Sequence, residues 1–354
     1  MDSLLMVGQY ILAILGFSFI ILVHEFGHFL MAKLSGMHVE EFFIGFGPRL
    51  LKFKSRSGTL WGINAIPVGG YNKILGMERD SRVPTEMEHK SYSNKPNYKK
   101  FLVIAGGVSL NAVVAVLLIM LFLSMGVYQA TTVIDYIDPQ APASESGLQP
   151  GDKVIAIDGN KIESWEEFST ATKQHQGAQT EYTLLRDGEE LNIGVELEQT
   201  EEGFYLGIGP QVVKQNLSFG QVVKQSMVMT WDIIVTYVRL FGMLFQGQLS
   251  FSEARPVSPV GVISIFQQSA AMGAQNFILF IALVSLIVGF GNLIPILPLD
   301  GGHIVVLIIE SIRKKPLPRR LLEVLNTLGI IFLISLLVVG FVYDIISPFN
   351  LQNM

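Results

Sequence analysis

The stretch LLMVGQYILAILGFSFIILVHEFGHFLM, residues 4–31, decides how this chain is read. It is long and apolar enough to cross a bilayer, which needs about 20 such residues, yet it carries His24, Glu25 and His28. Ionisable groups at membrane depth each cost kilocalories unless something compensates them, so inside a span they mark function by default. On a helix, residues i and i+4 share a face, so His24 and His28 can hold one metal ion. Glu25 stands about 100° further round the helix, free to take a proton from water held at that ion. The bland alternative is a chance HExxH with both histidines buried in a bundle. It is serious for a soluble chain and weak inside an apolar span.

Composition points the same way. Of 354 residues, 50% are hydrophobic and only 16% are charged, and mean hydropathy is +0.44. Soluble domains carry about 25% charged residues. The expectation is an α-helical membrane protein, in contact with the lipid bilayer, that also has an aqueous part. A net charge of -5 argues against a nucleic-acid partner. With no cysteine there is no disulfide and no thiolate ligand, so any zinc must be held by His and Asp/Glu. The N-terminus lacks a basic region and its apolar run is too long for a signal peptide.

Four spans are expected, at 4–31, 101–127, 277–299 and 321–346. Twelve Lys/Arg lie in 33–100 and five in the short loop 300–320, but only eight in the longer 128–276. None precedes the first span or follows the fourth. Basic loops stay cytoplasmic, which places both termini and 128–276 outside. The expected organisation is then residues 1–127, the first two transmembrane helices with HExxH and a β-loop at about 40–78. A small α/β domain follows at 128–210, an amphipathic helix and linker at 211–275, and the last two transmembrane helices at 276–354.

Within 128–210, β-rich runs at 131–134, 153–157, 182–185, 191–197 and 205–208 alternate with turn signals, among them Asp158-Gly159-Asn160 and Arg186-Asp187-Gly188. Ser164 before Trp165-Glu166-Glu167 reads as a helix start over 164–173. Over 217–245 an apolar pattern is broken by Lys224, Asp232 and Arg239, which suits a helix on the membrane surface rather than a fifth span. The Pro-rich run from Arg255 to Gly261 cannot be continuous helix.

A catalytic zinc site usually has three protein ligands and one position left for water. The third span ends Asn292-Leu293-Ile294-Pro295-Ile296-Leu297-Pro298-Leu299-Asp300-Gly301-Gly302-His303. Prolines free backbone carbonyls, which a span tolerates where it lines a cavity or is shielded by protein. Asp300 is the leading third ligand. Spacing alone leaves equally open an interfacial Asp300 capping a helix at 304–312. His303, nearer the basic loop, is the rival ligand. The Asn292 amide could hold a substrate carbonyl or the developing oxyanion, or make a helix–helix hydrogen bond.

His24-Glu25-Phe26-Gly27-His28 early and Asn292…Pro295…Asp300-Gly301-Gly302 late, with a β-rich domain between, resemble the site-2 protease family of intramembrane zinc metalloproteases. Within it, the chain is similar to the bacterial regulator-of-sigma-E protease type, and the likeness covers nearly the whole chain. It implies Zn2+ on His24, His28 and Asp300, with Glu25 as base and Asn292 beside the oxyanion. Gly45-Phe46-Gly47-Pro48 and the run from Pro67 to Gly76 resemble the family's membrane-dipping β-loop, where Gly69, Gly70 and Tyr71 would receive substrate as an added strand.

The run from Ala141 to Asp152 and Ile155-Ala156-Ile157-Asp158-Gly159 resemble a circularly permuted PDZ domain. Tyr205, Leu206, Gly207 and Ile208 would be its peptide-binding loop, meeting a peptide or the outer part of a substrate. Ser258-Pro259-Val260-Gly261 matches the family's linker before the third span. The implied substrates are single-pass membrane proteins already trimmed outside, such as an anti-sigma factor or a remnant signal peptide. The implied place is the bacterial inner membrane, with both termini and the PDZ-like domain extracytoplasmic.

Two departures stand out. There is one PDZ-like domain where many relatives have two, and Gly106-Gly107-Val108-Ser109-Leu110-Asn111 lacks a proline common after the glycine, although Asn111 matches. Rival readings are a non-catalytic PDZ adaptor or quality-control chaperone and a metal transporter. An adaptor would expect a degraded metal motif. A transporter would expect ionisable residues along several spans, and the second and fourth offer none in their apolar cores.

Overall fold

The computed structural model describes residues 2–78, 82–174, 179–200, 203–248 and 256–348. The chain divides into two compact units, one of residues 1–123 and 219–354 and the other of Ser124–Ser218.

In the first unit, α1 (Asp2–Leu34) carries the HExxH motif near its C-terminal end. It leads into β1 (Val39–Lys54) and β2 (Leu60–Ile74), an antiparallel pair that folds back on itself. Glu41–Ile44 pairs on one side with 70–73 and on the other with 60–63, while 49–54 pairs with 60–64. The segments therefore lie in the order 49–54, 60–64, 41–44, 70–74, which leaves 70–74 on one edge. Gly45 and Gly47 take positive φ values of 81° and 87°, where β1 turns through this bend. Glycine, with no Cβ, adopts such values at least cost.

Phe42 packs among Phe26, Phe29 and Trp61, which ties the sheet to α1. In the same sheet Phe46, Leu50, Leu51, Phe53, Ile63 and Ile66 are exposed. α2 (Asn97–Ser124) crosses α1 where Gly27 and Gly106 meet backbone to backbone, the close approach that small residues permit between apolar helices.

The second unit holds β3 (Val127–Ile137), β4 (Lys153–Ile157), β5 (Asn160–Lys161), α3 (Trp165–Lys173), β6 (Gln179–Arg186), β7 (Glu189–Glu196), β8 (Glu198–Thr200), β9 (Gly203–Tyr205) and β10 (Ile208–Gln215). The main sheet runs β10-β3-β4-β6-β7, with β5 beside β4, and β8 and β9 pair apart. Its core gathers Ile134, Val154, Ile157, Phe168, Tyr182, Leu184 and Leu206. The turn residues act as expected: Asp158 and Gly159, and Asp187 and Gly188, take positive φ where β4 meets β5 and β6 meets β7. Ser164 caps α3, its hydroxyl accepting from Glu167 N–H. The strand expected at 205–208 is instead divided between β9 and β10, because Gly207 turns the chain at φ 81°. β10 also runs past 210 to Gln215, which pairs with Val127, so the compact unit extends beyond 128–210.

Buried Asp152 receives both Arg186 Nε and Nη2, at 2.6 and 2.7 Å. Burial alone would raise its carboxyl, but the Arg186 fork and the Gln149 N–H hold it below the usual carboxylate value.

Back in the first unit, α4 (Phe219–Phe245) is followed by α5 (Pro259–Ala271), α6 (Ala274–Asn292), α7 (Asp300–Arg313) and α8 (Arg319–Ile346). α5 begins at Ser258, whose hydroxyl accepts from Gly261 N–H and whose own N–H donates to Asp344 on α8. Arg255, in the same Pro-rich run, lies outside the described residues. Three expectations shift. The second helix ends at Ser124, and Val127 starts a strand. The third ends at Asn292 rather than 299, because Pro295 and Pro298 turn the chain through 293–299. Finally, five described helices, α4 included, are long and apolar enough to cross a membrane by length and composition.

Candidate metal centre

His24 and His28 stand one turn apart on α1, and Asp300 opens α7. Leu299 holds the N-cap position and Asp300 is the first residue of the helix; the Asp300 Oδ2 lies 3.2 Å from Nε2 of each histidine. The two Nε2 atoms are 3.2 Å apart as well. Three donor atoms thus form a triangle with equal sides. A tetrahedral ion with bonds of ~2.0–2.1 Å demands donor–donor edges of ~3.3–3.4 Å. The donor set, two imidazoles and a carboxylate, is one zinc takes in catalytic sites.

His28 Nδ1 lies 2.8 Å from Val103 O, which can only accept, so Nδ1 carries a ring proton. The neutral ring then presents its Nε2 lone pair to the triangle, as a metal ligand requires. Among the described residues, no other group of three or more His, Asp or Glu side chains could hold an ion in this way.

The neighbours explain the placement. Gly301 and Gly302 press the first turn of α7 against the backbone of 293–297, where any Cβ would collide. On α2, a Cβ at Gly107 would stand 2.5 Å from His28 Nε2 and 2.7 Å from His24 Cε1. Glu25 is half-buried, and its Cγ comes within 3.7 Å of where a Cβ on Gly70 would lie, so the edge segment 70–74 passes beside it.

Several other expected site residues have partners of their own. Asn292 ends α6 and its Nδ2 donates to Val288 O at 2.9 Å, so its amide bonds within its own helix. His303 lines a separate cavity of about 390 Å3 with Met77, Tyr92, Lys100 and Glu310. Tyr71 donates to Glu41 Oε2 at 2.8 Å and stacks on Phe43. Tyr205, Leu206, Gly207 and Ile208 sit in the second unit, where Leu206 is core and Tyr205 is exposed. The sequence reading overlooked the part α2 plays. Val103, Gly107 and Asn111 follow one another at four-residue spacing, one face of a helix, and that face abuts the histidines.

A two-histidine, one-carboxylate triangle among apolar helices, with a glutamate beside it, fits the class of membrane-embedded metal-dependent hydrolases. The family model described as "Peptidase family M50" matches residues 12–336. Proteins named "putative zinc metalloprotease" are similar along almost the whole chain. One from Clostridium perfringens is 33% identical over 339 residues, covering 96% of this chain and 98% of its own. One from Fusobacterium nucleatum is 32% identical, covering 96% and 99%, and one from Clostridium acetobutylicum 31%, covering 96% and 98%. Among solved structures, the PDZ domain of an SdrC-like protein from Listeria monocytogenes is matched at 19% identity. It covers 23% of this chain and 87% of that one with a TM-score of 0.21, too slight a likeness to define a fold. This chain belongs to peptidase family M50. It is an integral membrane zinc metalloprotease.

Proposed function

We propose that the protein cuts single-pass membrane proteins within their membrane-spanning segments, using the centre formed by His24, His28 and Asp300. The equal-sided triangle of donors carries this reading. Zinc, when bound, brings the pKa of its water towards ~7 and polarises a carbonyl. Glu25, beside the triangle, takes a proton from the attacking water and returns it to the leaving amine. Asn292 faces the substrate carbonyl once its amide leaves Val288 O. A peptide bond in a helix is shielded by its own hydrogen bonds, so substrate must unwind first. The edge segment 70–74, with Gly69, Gly70 and Tyr71, passes Glu25 and offers unpaired backbone groups that an extended peptide can join as a further strand. The exposed apolar residues around Phe46, Leu51 and Phe53 suit immersion of the same sheet in lipid.

The membrane arrangement we propose has four spans, α1, α2, α6 and α8, with both termini outside. α4 then lies on the outer surface. Val127, just after α2 ends, pairs with Gln215, just before α4 begins. Beyond α4, Ser258 is tied to Asp344 near the end of α8, and Gln267 bonds Gln9 near the start of α1. On this reading both ends of α4 stay on the outer side, as a helix lying on the surface requires. The unit at 124–218 is a PDZ-like domain facing outward that meets the outer part of a substrate. The membrane is the inner membrane of a bacterium, and anti-sigma factors or remnant signal peptides are the substrate class.

The test is cleavage of a model single-span substrate by purified, zinc-loaded protein in liposomes. Glu25→Gln should reduce cleavage below a few per cent of wild type while zinc content is unchanged. Retention of substantial activity in that variant, or no cut within the span by the wild type, would sink the proposal.

A further inference from the structure

Asn111 has no part in the chemistry described so far, yet it is the most enclosed polar side chain near the centre. It lies on α2 at 0% exposure, and its Oδ1 has no hydrogen-bond partner. Its position is fixed from two directions. Its backbone carbonyl accepts from Ser285 Oγ on α6 at 3.1 Å, and Gly289, also on α6, lies against its Cβ. Its Nδ2 stands 3.5 Å from Nδ1 of His24.

That contact sets donor against donor. His24 directs Nε2 at the triangle, so as a ligand it keeps its proton on Nδ1. The two ends of an asparagine amide are interchanged by a half-turn of the side chain, and their assignment follows the hydrogen-bond network. Turning Asn111 puts the oxygen opposite Nδ1–H and gives a buried acceptor its donor. The equivalent bond on the other ligand is already in place, from His28 Nδ1 to Val103 O, two helical turns earlier on the same face of α2.

We propose that Asn111 Oδ1 accepts the Nδ1–H bond of His24 and is a positioning residue for the metal centre. It fixes the tautomer and ring plane of His24 just as Val103 O fixes those of His28. Partners of this kind behind a ligating histidine are worth 10–100-fold in metal affinity. α2 supplies no ligand of its own and orients both imidazoles. This rests on His24 being a ligand, as proposed above.

The experiment measures zinc affinity of the purified full-length protein by competition with a chromogenic chelator. Asn111→Leu keeps the volume and removes the acceptor; Asn111→Asp keeps the acceptor. We expect zinc to bind 10–100-fold more weakly in Asn111→Leu and within about threefold of wild type in Asn111→Asp. Wild-type affinity in Asn111→Leu overturns the proposal. Equal weakening in both variants also overturns it, because the site then needs the amide's shape and not an acceptor. Should Asn111→Leu fail to fold, nitrogen-15 NMR of histidine-labelled wild-type protein loaded with zinc decides. A hydrogen-bonded Nδ1–H on His24 is expected, and an exchanging or absent proton there overturns the assignment. His24→Ala is the separate check on the centre: if it binds zinc like wild type, the ligand reading fails whatever Asn111 does.

Discussion

At the scale of single residues, the centre turns on which oxygen completes the triangle. Asp300 Oδ2 is equidistant from both histidine nitrogens, while His303, one turn on, lines a different cavity. Asp300→Asn should therefore lower zinc affinity at least tenfold and cleavage with it, because a neutral amide is a poorer ligand for a hard cation. His303→Ala should leave both within about twofold. Zinc content by elemental analysis of the two purified variants checks this, and the reverse pattern would move the ligand to His303. Part of this geometry was legible in the sequence. His24 and His28 follow from one helical period, whereas spacing made Asp300 only the leading third ligand and left open both His303 and a helix-capping Asp300. Their convergence was not legible, because nothing local in 293–303 says which way a proline-broken segment folds back.

At the scale of elements, α2 matters by what it lacks. The glycine at 107 leaves the room in which the imidazoles meet. A methyl group there should push His28 aside, so Gly107→Ala is expected to weaken zinc binding more than tenfold. Gly8→Ala, where nothing lies within 4 Å, should change nothing. A zinc titration of the two variants separates these outcomes. The second unit has its own sensitive contact in Asp152 and Arg186. A carboxyl held below its unfolded value adds stability that is complete above the unfolded pKa, ~3.9. That stability is lost as pH falls through the lower folded value. Thermal unfolding of the unit should show a midpoint that drops below about pH 4, and Asp152→Asn should lower the midpoint at neutral pH and flatten the acid dependence. An unchanged neutral midpoint in that variant would contradict the reading. The strands of this unit were largely visible as β-rich runs between turn signals. The extension of β10 to Gln215 was not, because Pro210-Gln211-Val212 lacks the alternation that marks a half-buried strand.

At the scale of the whole molecule, chemistry and selection are expected to separate. All three donors of the triangle and Glu25 belong to the unit formed by 1–123 and 219–354, and Ser124–Ser218 contributes none. Deleting about 134–209 should leave zinc binding intact and widen the range of substrates. The truncated enzyme should cut an untrimmed single-span protein that the full-length enzyme spares. Cleavage of matched trimmed and untrimmed substrates by both forms is the measurement. If the deletion stops cleavage of the trimmed substrate while zinc stays bound, the unit is a docking site and exclusion fails. The four-span expectation came from apolar length and Lys/Arg placement. Length and composition alone would pass α4 as a span; Lys224, Asp232 and Arg239, which interrupt its apolar pattern, favour the membrane surface.

The triangle also joins the start of the chain to its last quarter. His24 and Asp300 are 276 positions apart, and their atoms meet at 3.2 Å. An ion held there is a reversible cross-link between α1, which carries both histidines, and α7, which opens with Asp300. Its grip is set by mass action: free zinc at a hundred times its dissociation constant adds about 2.7 kcal/mol to the assembled state. Starving the protein of metal should therefore loosen the docking of α6 and α7 on α1, and proteolysis in the 293–299 turn should accelerate with chelator and slow again when zinc is restored.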